Sequence, residues 1–471
     1  MRFGTVRTDL GVETEVNVAE ISALDYEGRG VAKVGGKTVF IKGALPSEKV
    51  GFQITKQKKQ FDEAEAVAIF KVSDERTVPQ CRYFERCGGC SLQHISPTAQ
   101  VAFKQRMMEE QLERIGKVKP KQILPPIYGH VWHYRDRARF SVSLDKSCRL
   151  KLGFQAKKTN DVVGISSCML IPKPVSDKLS AIRELLQDLA EEGSVARFAE
   201  FYCGSEIIVL NIAFKSKLRQ NEENRIRQWF DSELSDDWQI WLQIEGGVSQ
   251  PFYPKTDKTL KYTLPEFGIE MPFRPGDFTQ INADTNRLMV SRAVKMLDIR
   301  RGERIADLFC GLGNFSLPMA KSGADVVGIE GAENLVRRAR QNARLNGCGG
   351  QTDFIAANLF DCTEKTVASW GRFDKMLIDP PRSGAYEVVK SLHTPYLPQK
   401  IVYVSCNPST LARDAGVLVE KGYILSGAGI MNMFAQTSHT ESVAVFDLLP
   451  QTGKKLFENK RQRIIKEGGC K

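Results

Sequence analysis

The chain has 471 residues, which is more than one ordinary hydrophobic core accommodates, so we expect two or three domains. Its composition is globular, with 42% hydrophobic and 26% charged residues, and no apolar run is long enough to cross a bilayer. The segment from Met1 to Arg7 lacks the apolar centre of a secretory signal, so we expect a cytoplasmic protein. In that compartment, eleven cysteines indicate metal ligation or catalysis rather than disulfides.

The charge balance points to a polyanionic partner. Sixty-seven basic side chains stand against 56 acidic ones, so the net charge is +11. Nucleic acid is the leading candidate, and the alternative is a basic protein that binds none.

The first segment, residues 12–70, alternates apolar and polar positions between glycine turns. Several short strands with regular turns predict a small OB-like β-barrel, a fold that often binds RNA. Lys56, Lys58 and Lys59 would face phosphates in such a barrel, or would equally well form a solvated hairpin tip.

Residues 71–264 are predicted to form a second, β-rich domain. A cysteine- and glycine-rich loop covers residues 77–94, and a helix follows at 97–116, with Pro97 near its start and Gly116 after its end. Strand-like stretches then occur near 135–144, 149–155 and 161–165.

Three cysteines in the loop are spaced as metal ligands. Cys81, Cys87 and Cys90 form a C-x5-C-x2-C pattern with two glycines in the closest interval, which lets the backbone fold tightly around one centre. Thiolates select zinc or an iron–sulfur cluster, and the spacing does not separate the two. A fourth ligand is required, and Cys168 is the first choice, with Cys148 and the nearby histidine as alternatives.

From residue 302 onward, strands and helices alternate, which predicts a parallel, doubly wound α/β sheet within a domain at 265–450. The tail at 451–471 is basic and is predicted to be a solvated segment. The predicted strands lie near 304–309, 324–330, 352–356, 373–379, 400–406, 423–430 and 442–449.

The first strand–turn–helix of this domain predicts a nucleoside site. Gly311 and Gly313 follow the strand that contains Asp307 and allow a ligand to approach the backbone. Ser316 replaces the third glycine of a pyrophosphate-binding motif, which disfavours NAD. Glu330 ends the next strand and is placed to accept hydrogen bonds from ribose hydroxyls, so S-adenosylmethionine is the preferred cofactor.

A cysteine and two carboxylates occupy strand ends in the same sheet. Cys406 ends the β-branched run that starts at Ile401, and Asp379 ends the preceding strand, so the two should share one cleft. Glu441 comes immediately before the last strand. Considered alone, Cys406 fits a buried core thiol and Glu441 an exposed loop charge.

Together these groups describe carbon-5 methylation of uracil. Carbon-5 becomes nucleophilic only after a thiolate, from Cys406, adds to carbon-6, and a base such as Glu441 must then remove the carbon-5 proton. A free cysteine has a pKa near about 8.5, so nearby positive charge is expected to favour the thiolate, with Arg382 as a candidate.

These motifs resemble the RNA uracil-5-methyltransferase family over nearly the whole chain. The resemblance implies a Rossmann-like S-adenosylmethionine-dependent methyltransferase domain with a seven-stranded, mostly parallel sheet, an N-terminal TRAM barrel and a central iron–sulfur domain. It also implies that the helix at 97–116 packs on the catalytic domain. Position by position, it implies a cofactor site of Gln280, Phe309, Asn314, Glu330, Asn358 and Asp379, a nucleophile at Cys406, a base at Glu441, and 4Fe–4S ligands at Cys81, Cys87, Cys90 and Cys168.

The cysteines resemble those of the ribosomal RNA branch, which implies 23S ribosomal RNA as the partner, uracil 1939 as the target, and a monomer without membrane attachment. The transfer RNA branch, which lacks these cysteines, is an alternative. So are a radical S-adenosylmethionine enzyme, an amino-group methyltransferase and a non-catalytic RNA-binding protein. The radical enzymes use C-x3-C-x2-C and have no need of Cys406.

Overall fold

The computed structural model describes residues 2–7 and 13–450 of the chain. The basic segment predicted at 451–471 lies outside the described residues, as does residue 12 at the predicted start of the barrel. Among the described helices, none combines the length and the apolar character needed to span a bilayer.

The N-terminal unit is a seven-stranded sheet that curls around a small core. Its strand order is β1-β2-β6-β7-β5-β4-β3, and β2 also contacts β4. Alternate residues such as Val39, Ile41, Val50 and Phe52 point inward and are buried, which is the period-two pattern expected of a half-buried strand. The strands are β1 (Arg2–Arg7), β2 (Glu13–Glu20), β3 (Ala23–Leu24), β4 (Gly30–Val34), β5 (Lys37–Lys42), β6 (Lys49–Gln57) and β7 (Phe61–Lys71).

The central unit is a second seven-stranded sheet with two helices against it. The elements that follow the barrel are α1 (Pro97–Arg114), β8 (Gln122–Ile123), β9 (Arg137–Leu144), β10 (Leu150–Gln155), β11 (Val162–Gly164), α2 (Lys173–Glu191), β12 (Ala196–Cys203), β13 (Ile208–Phe214), α3 (Gln220–Glu233), β14 (Trp238–Ile244) and β15 (Gln250–Tyr253). The order is β11-β10-β9-β12-β13-β14-β15, and only β13 and β14 pair in parallel. The apolar face of α2, including Leu179, Ile182 and Leu186, packs into the core of this unit.

A short hairpin connects the central unit to the last one. Its strands are β16 (Lys261–Leu264) and β17 (Ile269–Pro272), with a 3-10 turn (Pro265–Phe267) between them. The hairpin residues Leu264, Ile269 and Met271 belong to the core of the last unit. The domain boundary proposed between residues 264 and 265 therefore falls between two paired strands.

The last unit is an eight-stranded α/β sheet in the order β20-β19-β18-β21-β22-β24-β23-β8. Val402 and Tyr403 are adjacent residues of the central strand β22, and they point to opposite faces of the sheet, where they lie in two different hydrophobic cores. Both faces of the sheet are therefore covered. Its remaining elements are α4 (Ala283–Leu297), β18 (Arg304–Leu308), α5 (Ser316–Lys321), β19 (Asp325–Glu330), α6 (Glu333–Leu345), β20 (Thr352–Ala356), a 3-10 turn (Leu359–Asp361), α7 (Glu364–Ser369), β21 (Lys375–Ile378), α8 (Tyr386–Ser391), β22 (Lys400–Ser405), α9 (Pro408–Glu420), β23 (Tyr423–Met431) and β24 (Glu441–Leu448).

The seven strands expected in this unit all occur close to their predicted positions, but the predicted count was one too small. The additional strand, β8, has only two residues and pairs in parallel with β23 at the sheet edge. A two-residue strand has no detectable alternation, so the sequence pattern could not indicate it. The helix after the cysteine strand begins at Pro408, and Asn407 caps it by accepting from Ser409 N at 3.1 Å.

Helix α1 precedes the central sheet in the chain but packs on the last unit. Ser96 caps its start, accepting from Ala99 N at 3.2 Å, and Pro97 occupies the first helical position. Met108 and Leu112 are fully buried in the same core as residues of α9 and β23. The helix thus joins the cysteine-rich loop to the α/β sheet.

Candidate active site

Three functional candidates meet at one edge of the α/β sheet. Strands β21 and β22 are parallel neighbours, so their carboxyl ends present Asp379 and Cys406 side by side. Strand β24 runs antiparallel to β22, and its first residue, Glu441, lies one position beyond the pair of Ser405 with Ser442. That register puts Glu441 opposite Cys406, as expected of side chains on one face of an antiparallel pair.

The electrostatics of this edge disfavour charge on all three groups. Glu441 is 2% exposed, and its burial together with the nearby Asp379 raises its pKa well above the ordinary value. Burial raises the pKa of Asp379 to about 7. The pKa of the Cys406 thiol rises to about 12, first through burial and then through Glu441 and Asp379, while Arg382 acts in the opposite direction. The cluster therefore favours a neutral thiol in the free protein.

Arg382 stands at the exposed rim of this cleft. Its guanidinium Nη2 lies 3.3 Å from Nε2 of His439, and its carbonyl accepts from Asn407 Nδ2 at 3.0 Å. Arg382 was expected to favour the thiolate, and its charge does lower the pKa of Cys406, but burial and the two carboxylates outweigh it.

The predicted nucleoside loop is built from left-handed backbone. Gly311 and Gly313 adopt φ of +54° and +91°, and Phe309 adopts +62°, a conformation that non-glycine residues seldom take. Such strain is concentrated at functional sites, where the surrounding structure enforces it. Glu330 accepts from Gly311 N at 3.1 Å and from Ala332 N at 2.9 Å, so the acidic residue and the loop form one unit.

Asp307, in strand β18, is hydrogen-bonded to the end of this loop. It is completely buried, and its Oδ2 accepts from the hydroxyl of Ser316, the residue that replaces the third glycine of the motif. Burial raises the pKa of Asp307 to about 7, with Asp379 and Glu330 contributing in the same direction. The serine thus has a structural partner that a glycine would lack.

The other predicted cofactor residues have diverse surroundings. Asn314 pairs its amide with that of Asn286 and also accepts from Tyr262 Oη at 2.9 Å. Asn358 is exposed, and its side chain accepts from Phe360 N at 3.1 Å. Gln280 is half-buried in the segment that leads into α4. Asn314 is therefore hydrogen-bonded to Asn286 of α4 and to Tyr262 of β16, whereas Asn358 caps the 3-10 turn that follows β20.

The four predicted metal ligands converge. Cys81, Cys87, Cys90 and Cys168 line one cavity of about 120 Å³, with apolar walls that include Phe154. Cys148, the alternative ligand, is exposed on the turn between β9 and β10 and does not line that cavity. Within residues 2–7 and 13–450, no group of three or more His, Cys, Asp or Glu side chains is arranged to hold a metal ion.

The loop before Glu441 is held by two side chains that belong to none of the sequence motifs. Gln100 and Lys104 are completely buried on the inner face of α1, and both contact residues 432–436. They lie four residues apart and are followed at the same spacing by Met108 and Leu112. Polar residues within an otherwise apolar i, i+4 stripe were the available indication.

The fold and site define the class of protein as an S-adenosylmethionine-dependent methyltransferase with an additional N-terminal β-sheet unit. The family model described as tRNA (Uracil-5-)-methyltransferase matches residues 98–447, and the TRAM domain model matches residues 7–67. The chain belongs to this uracil-5-methyltransferase family, as the sequence resemblance predicted.

Relatives and a solved structure agree with this assignment. The chain is 94% identical over 449 residues to the 23S rRNA (uracil(1939)-C(5))-methyltransferase RlmD of Neisseria lactamica, covering 95% of this chain and 99% of the relative. It is 50% identical to the RlmD of Aromatoleum aromaticum, over 91% of this chain and 99% of the relative. The Pyrococcus abyssi tRNA (uracil-54, C5)-methyltransferase, solved with S-adenosyl-L-homocysteine, matches with a TM-score of 0.69 at 23% identity, over 91% of this chain and 99% of that one, which supports the fold.

Proposed function

We propose that this protein methylates carbon-5 of one uridine in 23S ribosomal RNA, at the position corresponding to uracil 1939. The observation that carries the chemistry is the sheet register that brings Cys406 opposite Glu441, beside Asp379. The choice of 23S ribosomal RNA rests on the 94% identical relative that bears that name. We also propose that it acts as a monomer.

Cys406 is the nucleophile in this proposal. Its thiolate adds to carbon-6 of the uracil ring, and the electron pair of the carbon-5–carbon-6 double bond moves onto carbon-5 and the adjacent carbonyl. S-adenosylmethionine, when bound, supplies the methyl group from an electrophilic sulfonium. Because two acidic groups oppose ionisation of Cys406, Arg382 and the substrate must favour the thiolate during turnover.

Glu441 is the base that completes the reaction. After methylation, carbon-5 is tetrahedral and still has its proton, so the ring cannot become aromatic again without a proton acceptor. The carboxylate of Glu441 takes this proton, the carbon-5–carbon-6 double bond re-forms, and the bond from carbon-6 to sulfur breaks with its electrons returning to Cys406. A pKa raised by burial makes Glu441 a stronger base than an ordinary carboxylate.

The cofactor site in this proposal consists of Phe309, Asn314, Glu330, Asn358, Asp379 and Gln280. Glu330 binds the ribose hydroxyls while its other contacts hold the loop at Gly311. Phe309 has a left-handed backbone, and its ring lies 5.7 Å from the ring of Phe360; in this proposal the Phe309 ring borders the adenosine. S-adenosylmethionine has no phosphate groups, so the turn does not need the third glycine of a pyrophosphate-binding motif, and Ser316 can replace it.

We propose that Cys81, Cys87, Cys90 and Cys168, which line one cavity, hold a 4Fe–4S cluster. A polynuclear cluster binds each sulfur to a different iron, so its ligands lie farther apart than those of a single ion. The donor set is soft, and backbone N–H groups point at two of its sulfurs: Gly89 N lies 3.4 Å from Cys87 Sγ, and Cys168 accepts from Leu170 and Ile171. We assign the cluster a structural or RNA-supporting role.

A trapping experiment tests the catalytic proposal. RNA containing 5-fluorouridine at the target should form a stable covalent complex in the presence of S-adenosylmethionine, because fluorine replaces the proton that must be removed. The Cys406→Ala variant should form none. The Glu441→Gln variant should trap ordinary uridine RNA in the same way, because its elimination step is blocked. Absence of any complex with the fluorinated RNA would contradict the adduct mechanism.

A mass-mapping experiment tests the substrate. Ribosomal RNA from a deletion strain should lose one 5-methyluridine, which the wild-type gene restores and the Cys406→Ala gene does not. If the methylation is instead lost from transfer RNA, the transfer RNA alternative is correct.

Metal content tests the cluster. Anaerobically purified protein should contain about four iron and four sulfide per chain, and Cys87→Ser should lose them. Cys148→Ser is the matched control, because that cysteine is exposed and outside the cavity. Zinc at one equivalent would contradict the iron–sulfur assignment, and a cluster-free variant with full stability and activity would contradict the assigned role.

A further inference from the structure

Glu441 is the first residue of β24, where it pairs with Met431, and the segment that leads into it, residues 432–440, is an irregular loop between β23 and β24. Loops are held less firmly than strands unless other elements fix their backbone. Here the fixing contacts come from helix α1 and the cysteine-rich loop, which lie more than 300 residues earlier in the chain.

The first contact is a buried lysine. Lys104 is completely buried, and its ammonium donates to Asn432 Oδ1 at 2.7 Å and to Phe434 O at 2.9 Å. Burial lowers the pKa of Lys104 to about 7, and a completely buried amine is costly unless it is hydrogen-bonded, as it is here. An apolar side chain would suffice for packing, as Met108 demonstrates one turn later.

The second contact is a reciprocal pair of amides. Gln100 Nε2 donates to Gln436 Oε1 at 3.0 Å, and Gln436 N donates to Gln100 Oε1 at 2.9 Å. Gln436 adopts a φ of +66°, a left-handed conformation that needs support in a non-glycine residue. Gln100 also donates to Ile95 O at 2.9 Å, so its orientation is fixed at both ends.

The third contact comes from the residues directly after Cys90. The backbone N–H groups of Ser91 and Leu92 both donate to Gln436 O at 3.0 Å, and Ser91 Oγ accepts from Ser438 N at 2.9 Å. Gln436 is therefore bound on its carbonyl, its amide N–H and its side chain. Glu441 follows five residues later.

We propose that Gln100 and Lys104 are positioning residues for the proton-removal step: through residues 432–438 they hold Glu441 opposite Cys406. The inference rests on the proposed function, since it concerns the elimination half of that reaction. The nucleophile depends on this clamp much less, because Cys406 is placed by β22 and by the Asn407 cap of α9.

This difference predicts that substitutions in the clamp slow proton removal selectively. Addition of Cys406 and methyl transfer should proceed at nearly the wild-type rate in Gln100→Leu and Lys104→Met. Removal of the carbon-5 proton should slow by about tenfold to a hundredfold, the effect of displacing a catalytic group by roughly 1 Å. Methylated RNA should therefore accumulate as a covalent complex with the protein.

Single-turnover reactions with methyl-labelled S-adenosylmethionine measure both steps. The total label in RNA measures methyl transfer, and the label in 5-methyluridine RNA that is free of protein measures proton removal and release. The matched control is Met108→Ala, which removes buried packing from the same face of α1 without contacting the loop. It should lower stability but leave the partition between the two steps unchanged. Gln436→Ala should reproduce the Gln100→Leu fault, and the two changes together should be no worse than either alone.

The outcomes are separable. Accumulation of the methylated covalent complex in the clamp variants, but not in Met108→Ala, supports the inference. Equal slowing of both steps, or normal release of product, overturns it, and Gln436→Ala provides the test if the buried Lys104→Met protein does not fold. If the wild-type protein itself forms no adduct and no 5-methyluridine, the proposed function fails, and the inference fails with it.

Discussion

The replacement of Glu441 by glutamine should make Cys406 more reactive towards a simple alkylating agent, although it should abolish turnover. The glutamine keeps the size and hydrogen-bonding capacity of the side chain but removes its negative charge. Because that charge raises the pKa of the Cys406 thiol, its removal should lower the pKa and increase the thiolate fraction at a given pH.

The size of the effect follows from the sheet register. Glu441 and Cys406 lie one position beyond a paired Ser405 and Ser442, so their side chains should be separated by about 5–6 Å. Two unit charges at that distance interact by about 3 kcal/mol at an effective dielectric constant near 20, which corresponds to about two pKa units. Burial raises the pKa of Glu441 and so reduces its mean charge, and we therefore expect the shift, measured between pH 8 and 10, to be smaller, about one pKa unit.

Iodoacetamide alkylation followed over this pH range measures the shift. The peptide that contains Cys406 is quantified by mass spectrometry, because ten other cysteines would obscure a bulk measurement. At pH 8.5, Glu441→Gln should react up to about tenfold faster than wild type, in proportion to its thiolate fraction. Arg382→Ala should shift the pKa in the opposite direction, and by less, because the guanidinium is exposed to solvent.

An unchanged or raised thiol pKa in Glu441→Gln would refute the placement of the carboxylate beside the sulfur. Equal changes in Glu441→Gln and Arg382→Ala would also refute it, since the two charges have opposite signs. Alkylation of exposed Cys148 provides the internal reference, because neither substitution lies near it.

Three further substitutions test the cofactor loop and the core beneath the catalytic edge. Gly313→Ala should weaken S-adenosylhomocysteine binding by about tenfold in calorimetry, because φ is +91° and the new Cβ would meet Leu317 Cδ1 at 2.6 Å; unchanged affinity would mean that the loop does not form the site. Glu330→Gln should weaken the same ligand by about tenfold, through loss of charge-assisted hydrogen bonds, whereas an effect confined to stability would contradict ribose binding. Tyr403→Phe should cost about 1–2 kcal/mol of unfolding free energy in urea, because its buried hydroxyl donates to Asp414 Oδ2 at 2.7 Å; a neutral result would show that the carboxylate finds another donor.

Much of the catalytic domain could be predicted from short segments. The strand ending at Cys406 is a β-branched run with a proline after it, and the strand ending at Asp379 is followed by two prolines, so the chain itself marks where both strands stop. Once the strands are parallel neighbours, geometry requires their ends to meet. The sequence likewise predicted that Cys81, Cys87, Cys90 and Cys168 would lie together, and the four thiols line one cavity.

Local sequence determined the strands, the glycine turn and the residues able to react, because backbone propensity and side-chain chemistry act within a few residues. Only the tertiary structure decided which of these groups face each other and at what pKa, since burial and Coulomb interactions depend on atoms distant in the chain. Thus the motif at Cys406 identified a thiol, but the antiparallel return of β24 brought Glu441 to it. Similarly, the sequence around Gln100 and Lys104 is that of an ordinary helix. Only the fold buries these two side chains against the loop at Gln436, where the low local dielectric strengthens their hydrogen bonds.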